Sequence, residues 1–465
     1  MNRTLNNVSL PIVSLAIAST IAFFYRRAQR DKSELQSKNY ESLIGETPLV
    51  HLKKLSSLLG EGKNIFVKME SMNPGGTGKD RAALFMLRDA EKRGLLPPPL
   101  SLSGADGRDL QQREIELSRN GNQCDHPADE DPILSTIHIA LQKSKTGGIV
   151  VEGTSGSTGI SLATLATQRG HSTIIVMPDD QSKEKQTILR CLGAVLHVVP
   201  TAAISNPNQY VNVARKIAEE INKIYGKDEK TFVKAAFMNQ FENEANYNAH
   251  TTTTGPEIWR QTNHKVDAFC MSSGTGGTIS GVGQYLKDRC RRRGRQCKIV
   301  LIDPPGSALL NKVKFNIAYA SEQKERGLRR HRYDTIAEGI GLDRITHNFA
   351  LGIDNNVLDD AIRVTDQESV DMAHWLIKEE GLFVGSSSAM NVFGAFKFAK
   401  ESMRPGSCVV TVVCDGGQRH LTRFWSRDFI KGWGLEWPGD DFDKWISRLP
   451  ASFSGNKGDA IPYLA

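Results

Sequence analysis

Lys79 stands in the run Asn73-Pro74-Gly75-Gly76-Thr77-Gly78-Lys79-Asp80-Arg81, and a lysine in such a turn has two chemical readings. One is a nucleotide-phosphate loop. It fails, because Asp80 stands where Ser or Thr should bind magnesium and Asn73 where the first Gly should be. The other is a Schiff-base lysine. A helix start disfavours a cation, which suits an amine that must act unprotonated. An ordinary solvated lysine in a turn fits this segment equally well when it is taken alone.

Three further segments carry hydroxyls and glycines between a strand pattern and a helix pattern. Glu152-Gly153-Thr154-Ser155-Gly156-Ser157-Thr158-Gly159 could cradle a carboxylate at a helix N-terminus, or be a turn with capping hydroxyls. Ser272-Ser273-Gly274-Thr275-Gly276-Gly277-Thr278 lacks the third Gly of a dinucleotide fingerprint, since Ile279 stands there. It does supply what a phosphate monoester needs: close backbone approach, hydroxyl donors and a following helix dipole. Gly385-Ser386-Ser387-Ser388-Ala389 follows the short run Leu382–Val384, and its serines could simply cap the next helix.

The elements that must position these segments alternate between β-like runs and amphipathic helices. Ile65, Val67 and Met69 alternate as in a strand, and a helix is predicted from Lys79 to Gly94. Further apolar runs are 148–151, 173–177, 194–199, 266–271, 299–302 and 409–413, with a helix predicted from Gln209 to Ile224. This rhythm predicts an α/β fold with mostly parallel sheets flanked by helices. Pro97 to Lys145 breaks it, with three successive prolines and little periodicity before Ile133, and reads as a largely mobile insertion. Trp433, Trp437 and Trp445 imply that the C-terminal stretch packs on something.

A chain of 465 residues with 39% apolar composition is long enough for two α/β domains. Its net charge of +7 is mild, and the basic run Arg289–Lys298 reads as a solvated turn, with contact to acidic lipid as the alternative; nucleic acid is not an expected partner. Seven scattered cysteines with no C-x-x-C pair imply neither a disulfide framework nor a metal site; Cys124 and His126 lack matching partners. Val8–Tyr25 carries no charge and is followed by Arg26, Arg27 and Arg30. It reads as an uncleaved membrane anchor with its basic flank in the cytosol, and the expected membrane is the mitochondrial outer membrane.

Taken in order, the four segments resemble the cysteine synthase and cystathionine β-synthase family of pyridoxal-phosphate enzymes, fold type II. The resemblance spans about residues 42 to 425 apart from the insertion. It implies that Lys79 holds pyridoxal 5'-phosphate and that Gly274, Thr275, Gly276, Gly277 and Thr278 bind its phosphate. It implies Ser387 opposite the pyridine nitrogen and Ser157 near the ring hydroxyl. Thr154, Ser155, Gly156, Thr158 and Gln240 would bind substrate, and Glu338-Gly339-Ile340-Gly341 resembles the loop that closes the site. Ser157 departs from the family's Asn, Thr77-Gly78 from Ser-Val and Ala389 from Gly. The implied organisation is an anchor and flank at 1–35 and an N-terminal catalytic domain at 36–245, with its insertion at about 97–145. A cofactor-binding domain follows at 246–428, then an extension at 429–465.

The chemistry so implied is a β-replacement in a homodimer. Lys79 is displaced by the substrate amine and then takes the α-proton, the β-substituent leaves, and sulfide adds. A serine rather than a carboxylate at the pyridine nitrogen leaves the ring neutral, which suits replacement over transamination. O-acetylserine and sulfide are the implied substrates. A β-elimination that releases sulfide from cysteine or ammonia from serine stays open, as does a membrane-tethered binding protein without catalysis.

Overall fold

Runs rich in β-branched residues form the strands, because such side chains pack well on a pleated surface covered on both faces. In the computed structural model, residues 39–99, 132–226, 233–319 and 335–438 are described. Residues up to Leu43 make one unit, of which the turn Tyr40–Leu43 is described; both sheets belong to the second unit, from Ile44 onward. Ten strands are described: β1 Leu49–His51, β2 Asn64–Met69, β3 Gly148–Gly153, β4 Ser172–Pro178, β5 Val195–Val199, β6 Lys234–Phe237, β7 Ala268–Ser272, β8 Lys298–Asp303, β9 Asp360–Arg363 and β10 Cys408–Val413. They form a four-stranded sheet in the order β5-β4-β3-β6 and a six-stranded sheet in the order β1-β2-β10-β7-β8-β9. Every pairing is parallel except β1 with β2.

The longer apolar runs therefore became strands as the sequence predicts. The helices start and stop near the expected places, at Lys79–Lys92 and Tyr210–Tyr225. Gln209 caps the second of these, its side chain accepting from Val211 N at 2.7 Å. Leu382–Val384 is different: only Val384 pairs, in a single bridge to Gly416. The basic run forms the turn between the helix Gly277–Arg291 and β8, with Arg293 lying over the Trp259 ring. Trp433 packs on the core of the large sheet and Trp437 meets His374 edge-on at 4.6 Å; Trp445 lies outside the described residues.

Three expectations need correction or refinement. The stretch 97–145 is not all insertion: Pro132–Lys143 is a helix whose Ile137 and Ala140 are buried among residues of β3, β4 and β5. Division at residue 245 does not follow sheet membership, since β1 and β2 join the sheet built by β7 to β10. The membrane anchor and the outer-membrane placement are withdrawn. No described helix is long and apolar enough to cross a membrane. Val8–Tyr25 lies outside the described residues, and its eighteen positions carry three serines, a threonine and a proline, so it meets the spanning length only at its lower limit.

One buried charge network ties the large sheet to the helix that begins at Lys79. Arg81 lies on that helix, 1% exposed, and reaches two carboxylates. Its Nε and Nη2 donate to Glu70 at 2.8 Å each, and its Nη1 and Nη2 to Glu257 at 2.5 and 2.7 Å. Lys68 on β2, fully buried, donates to Glu257 at 2.6 Å and to the Thr47 carbonyl at 2.6 Å. Burial alone would raise the Glu70 carboxyl, but Arg81, with help from Thr47, holds it at about 2. Removing one partner of such a pair strands the opposite charge in a dry site. Glu257→Ala should thus lower the free energy of unfolding by about 3–5 kcal/mol in urea titrations; an unchanged midpoint would show that the network contributes nothing.

Candidate active site

The segment before Lys79 is fixed from three sides. Asp80 accepts from Gly75 N at 2.6 Å and from the Ser161 hydroxyl at 2.5 Å. Gly78 N donates to the Cys414 carbonyl at 3.4 Å, Thr77 bridges to Asp415, and Arg419 donates to the Gly75 carbonyl. The aspartate that excludes a magnesium loop is thus the residue that shapes this turn. Lys79, at the first position of its helix, is left half-buried and facing a cleft.

That cleft gathers most of the expected residues. Lys79, Thr154, Ser155, Ser157, Thr158, Gln240, Gly274, Thr275 and Ser387 all line it. Gly156, Gly276, Gly277 and Thr278 are not among its lining residues: Gly156 precedes the helix Ser157–Gln168, and Gly276 precedes the helix that begins with Gly277 and Thr278. Gln240 is brought to the Thr154–Thr158 loop directly. It accepts from the Thr158 hydroxyl at 2.6 Å and donates to the Gly153 carbonyl at 3.2 Å. Behind this loop, burial pushes the Glu152 carboxyl up to about 8, so it stands protonated at neutral pH.

The loop after β7 fits a phosphate monoester. Ser272 Oγ and Ser273 Oγ are buried without a hydrogen-bond partner among the described residues, and Thr275 faces the cleft at the head of a fifteen-residue helix. Two glycines are required by space: a Cβ on Gly274 would stand 2.3 Å from the Gly339 carbonyl oxygen, and Gly276 has φ 88° with Phe349 N 2.5 Å from any added Cβ. At the opposite end the three serines divide their work. Ser388 accepts from Cys414 N at 2.9 Å, Ser386 accepts from Glu338 N at 3.4 Å, and Ser387 faces the cleft. Simple helix capping does not describe them, since Gly385 is the cap and makes no side-chain bond.

A cluster that no local motif revealed closes one wall. Glu338 pairs with Lys185, both side chains under 5% exposed, and Arg423 Nε stands 3.0 Å away in ionic contact. His420 bonds Asp415 at 3.0 Å and lies 3.8 Å from Glu338. Lys185 follows β4 and Arg423 follows β10, so only the packing of the two sheets could have shown this. Burial alone would raise the Glu338 carboxyl; the charges of Lys185, His420 and Arg423 outweigh it and hold it below the usual carboxylate range.

Glu338→Gln should destabilise the protein at pH 7 by about 3 kcal/mol, since Lys185 loses its buried counter-charge. A carboxyl with a depressed folded pKa contributes stability above its unfolded pKa, roughly 4.3, and loses it as pH falls through the folded value. The gap between wild type and Glu338→Gln in urea titrations should narrow as pH is lowered below about 4. A gap that is constant with pH would rule out the ion pair as its source.

Comparison with known proteins gives the family. The family model described as "Pyridoxal-phosphate dependent enzyme" matches residues 40–107 and 132–415, and the gap between the two matched stretches falls within the expected insertion. A Saccharomyces cerevisiae protein provisionally named a mitochondrial cysteine synthase is 40% identical, the alignment covering 90% of this chain and 91% of that one. Cysteine synthase 2 of Neurospora crassa is 42% identical over 85% of this chain and 74% of its own length. Among solved structures, O-ureido-L-serine synthase superposes with a TM-score of 0.59 at 27% identity, covering 88% of this chain and 99% of that one. The chain belongs to the pyridoxal-phosphate dependent enzymes, within the family of the cysteine synthases.

Proposed function

We propose that this enzyme makes L-cysteine by β-replacement, exchanging the acetate of O-acetylserine for sulfide. The observation that carries the reading is the meeting of Lys79, Thr275 and Ser387 in one cleft: an amine, an anion cradle and a neutral hydroxyl. Pyridoxal phosphate, the cofactor of the family, supplies the electron sink that makes the α-proton acidic and the β-substituent a leaving group. Lys79 Nζ would hold the cofactor carbonyl and, once freed by the substrate amine, take the α-proton. Thr275 and the helix start behind Gly274–Thr278 would hold the phosphate. Ser387 would offer the pyridine nitrogen a hydroxyl rather than a carboxylate, which would leave the ring neutral. Thr154, Ser155, Gly156 and Thr158, with Gln240 behind them, suit the substrate carboxylate at a helix N-terminus. Sulfide adds where acetate has left, and cysteine and acetate are released. A mitochondrial location, carried in the name of the yeast relative, belongs to this proposal.

Purified protein supplied with cofactor, O-acetylserine and sulfide should form cysteine. Lys79→Ala should slow it about 10²–10⁴-fold, the usual contribution of a positioned base. Borohydride reduction and peptide mapping should find the pyridoxyl group on Lys79; a label elsewhere removes the assignment. Pyruvate in place of cysteine would mean elimination, and no turnover would leave a binding protein.

Ser157 is the departure most open to measurement. Its hydroxyl is shorter than the Asn amide but still donates and accepts. Restoring the longer group concerns one hydrogen bond, about 0.5–1.5 kcal/mol, so Ser157→Asn should change kcat/KM or the cysteine-to-pyruvate ratio by roughly two- to tenfold. A change below twofold in both would make the position neutral.

A further inference from the structure

Behind the Gly274–Thr278 loop runs the helix Glu244–Ala249, which continues into a wide π-helical turn, His250–Thr254. Two side chains on it, Asn246 and His250, lie one turn apart, and each is 1% exposed. Asn246 Nδ2 donates to Thr275 Oγ1 at 2.9 Å and to the Gln240 carbonyl at 2.9 Å. The carbonyl fixes the amide orientation, since an Asn oxygen there would face another oxygen. Gly277 N also points at Thr275 Oγ1, at 3.4 Å. A hydroxyl has two acceptor sites and one donor. With both acceptor sites of Thr275 used, its proton is free to be donated elsewhere.

His250 stands in the same relation to Thr278. Its Nε2 is 3.0 Å from Thr278 Oγ1 and its Nδ1 is 2.9 Å from Thr254 Oγ1. Burial, with Arg81 and Lys79 acting in the same direction, pushes the imidazole down to about 3, so it is neutral and carries one N–H. Which nitrogen carries it decides whether the Thr278 hydroxyl faces the imidazole or faces away. We propose that Asn246 and His250 are paired positioning residues: Asn246 donates to Thr275, the Nε2–H tautomer of His250 donates to Thr278, and both threonine hydroxyls are thereby turned into donors for the phosphate of the cofactor. Thr254 completes the line by donating its hydroxyl to Nδ1. This rests on the reading of Gly274–Thr278 as the phosphate loop.

The tautomer can be read without turnover. Nitrogen-15 histidine spectra of the full-length holoenzyme should show His250 protonated on Nε2; protonation on Nδ1 overturns the proposal. Binding of pyridoxal phosphate, and of inorganic phosphate alone, to the cofactor-stripped full chain gives the second readout. His250→Leu should weaken both about tenfold, as expected for loss of aligned hydrogen bonds to a charged group. His250→Gln, whose amide nitrogen reaches the Nε2 position, should restore affinity to within about threefold. Asn246→Asp, which puts an acceptor against Thr275 Oγ1, should weaken both ligands at least as much as His250→Leu. Equal loss in His250→Leu and His250→Gln, or no loss in His250→Leu, counts against the proposal. Thr275→Ala and Thr278→Ala separate the underlying reading: if neither changes phosphate affinity, the loop itself has been misplaced.

Discussion

The structure depends on burying charge beside the lysine it presents. Arg81 lies two residues from Lys79 on the same helix and is 1% exposed. A guanidinium in that position is tolerated only with carboxylates matched to its planar fork, and Glu70 and Glu257 supply them. Glu257 is shared with Lys68 of β2, so two acids balance two cations. The helix orientation is thereby set by geometry that few other arrangements satisfy. Asp80, between the two cations, turns the other way and holds the preceding loop. Lys79 is directed by its neighbours on both sides.

Parallel strands end at the same edge of a sheet, and loops at that edge can converge. The segments around Lys79, Thr154 and Thr275 follow β2, β3 and β7, and the Cys414–Arg423 segment follows β10. Ser387 comes from the single bridge beside β10 and not from a strand of its own. The cleft is therefore built by two sheets together, and each contributes one kind of group. The four-stranded sheet brings the Thr154–Thr158 loop and Lys185; the six-stranded sheet brings Lys79, the Gly274–Thr278 loop and Ser387.

What the sequence made legible was whatever is local. Strand–loop–helix segments with glycines and hydroxyls could be read singly, and their order carried the family resemblance. Gln240 was legible only through that resemblance, and its bond to Thr158 needed the fold. The Lys185–Glu338–Arg423 cluster was not legible, because no spacing in the chain relates residues that meet through sheet packing. The periodicity from Ile133 onward was legible, but the proline-rich, aperiodic stretch before it drew the helix Pro132–Lys143 into the insertion, although its Ile137 and Ala140 are buried as core. Val8–Tyr25 shows the opposite failure: absence of charge read as a span, although its polar side chains and short length gave that reading little support.

The pairing of Cys408 to Asn64 has a consequence for how the protein is made. The strands of the smaller sheet all lie between Gly148 and Phe237, so that sheet can form while the ribosome is still at work on the rest. The larger sheet cannot close until β10 emerges, long after β2, because β10 is the parallel neighbour of β2 among the described strands. Contacts so distant along the chain form slowly. Until they form, the turn that carries the lysine lacks the Cys414 and Asp415 groups that hold it. A growing polypeptide therefore lacks the anchored Lys79 turn, and a truncation before Cys408 would remove that anchoring while leaving the smaller sheet its four described strands.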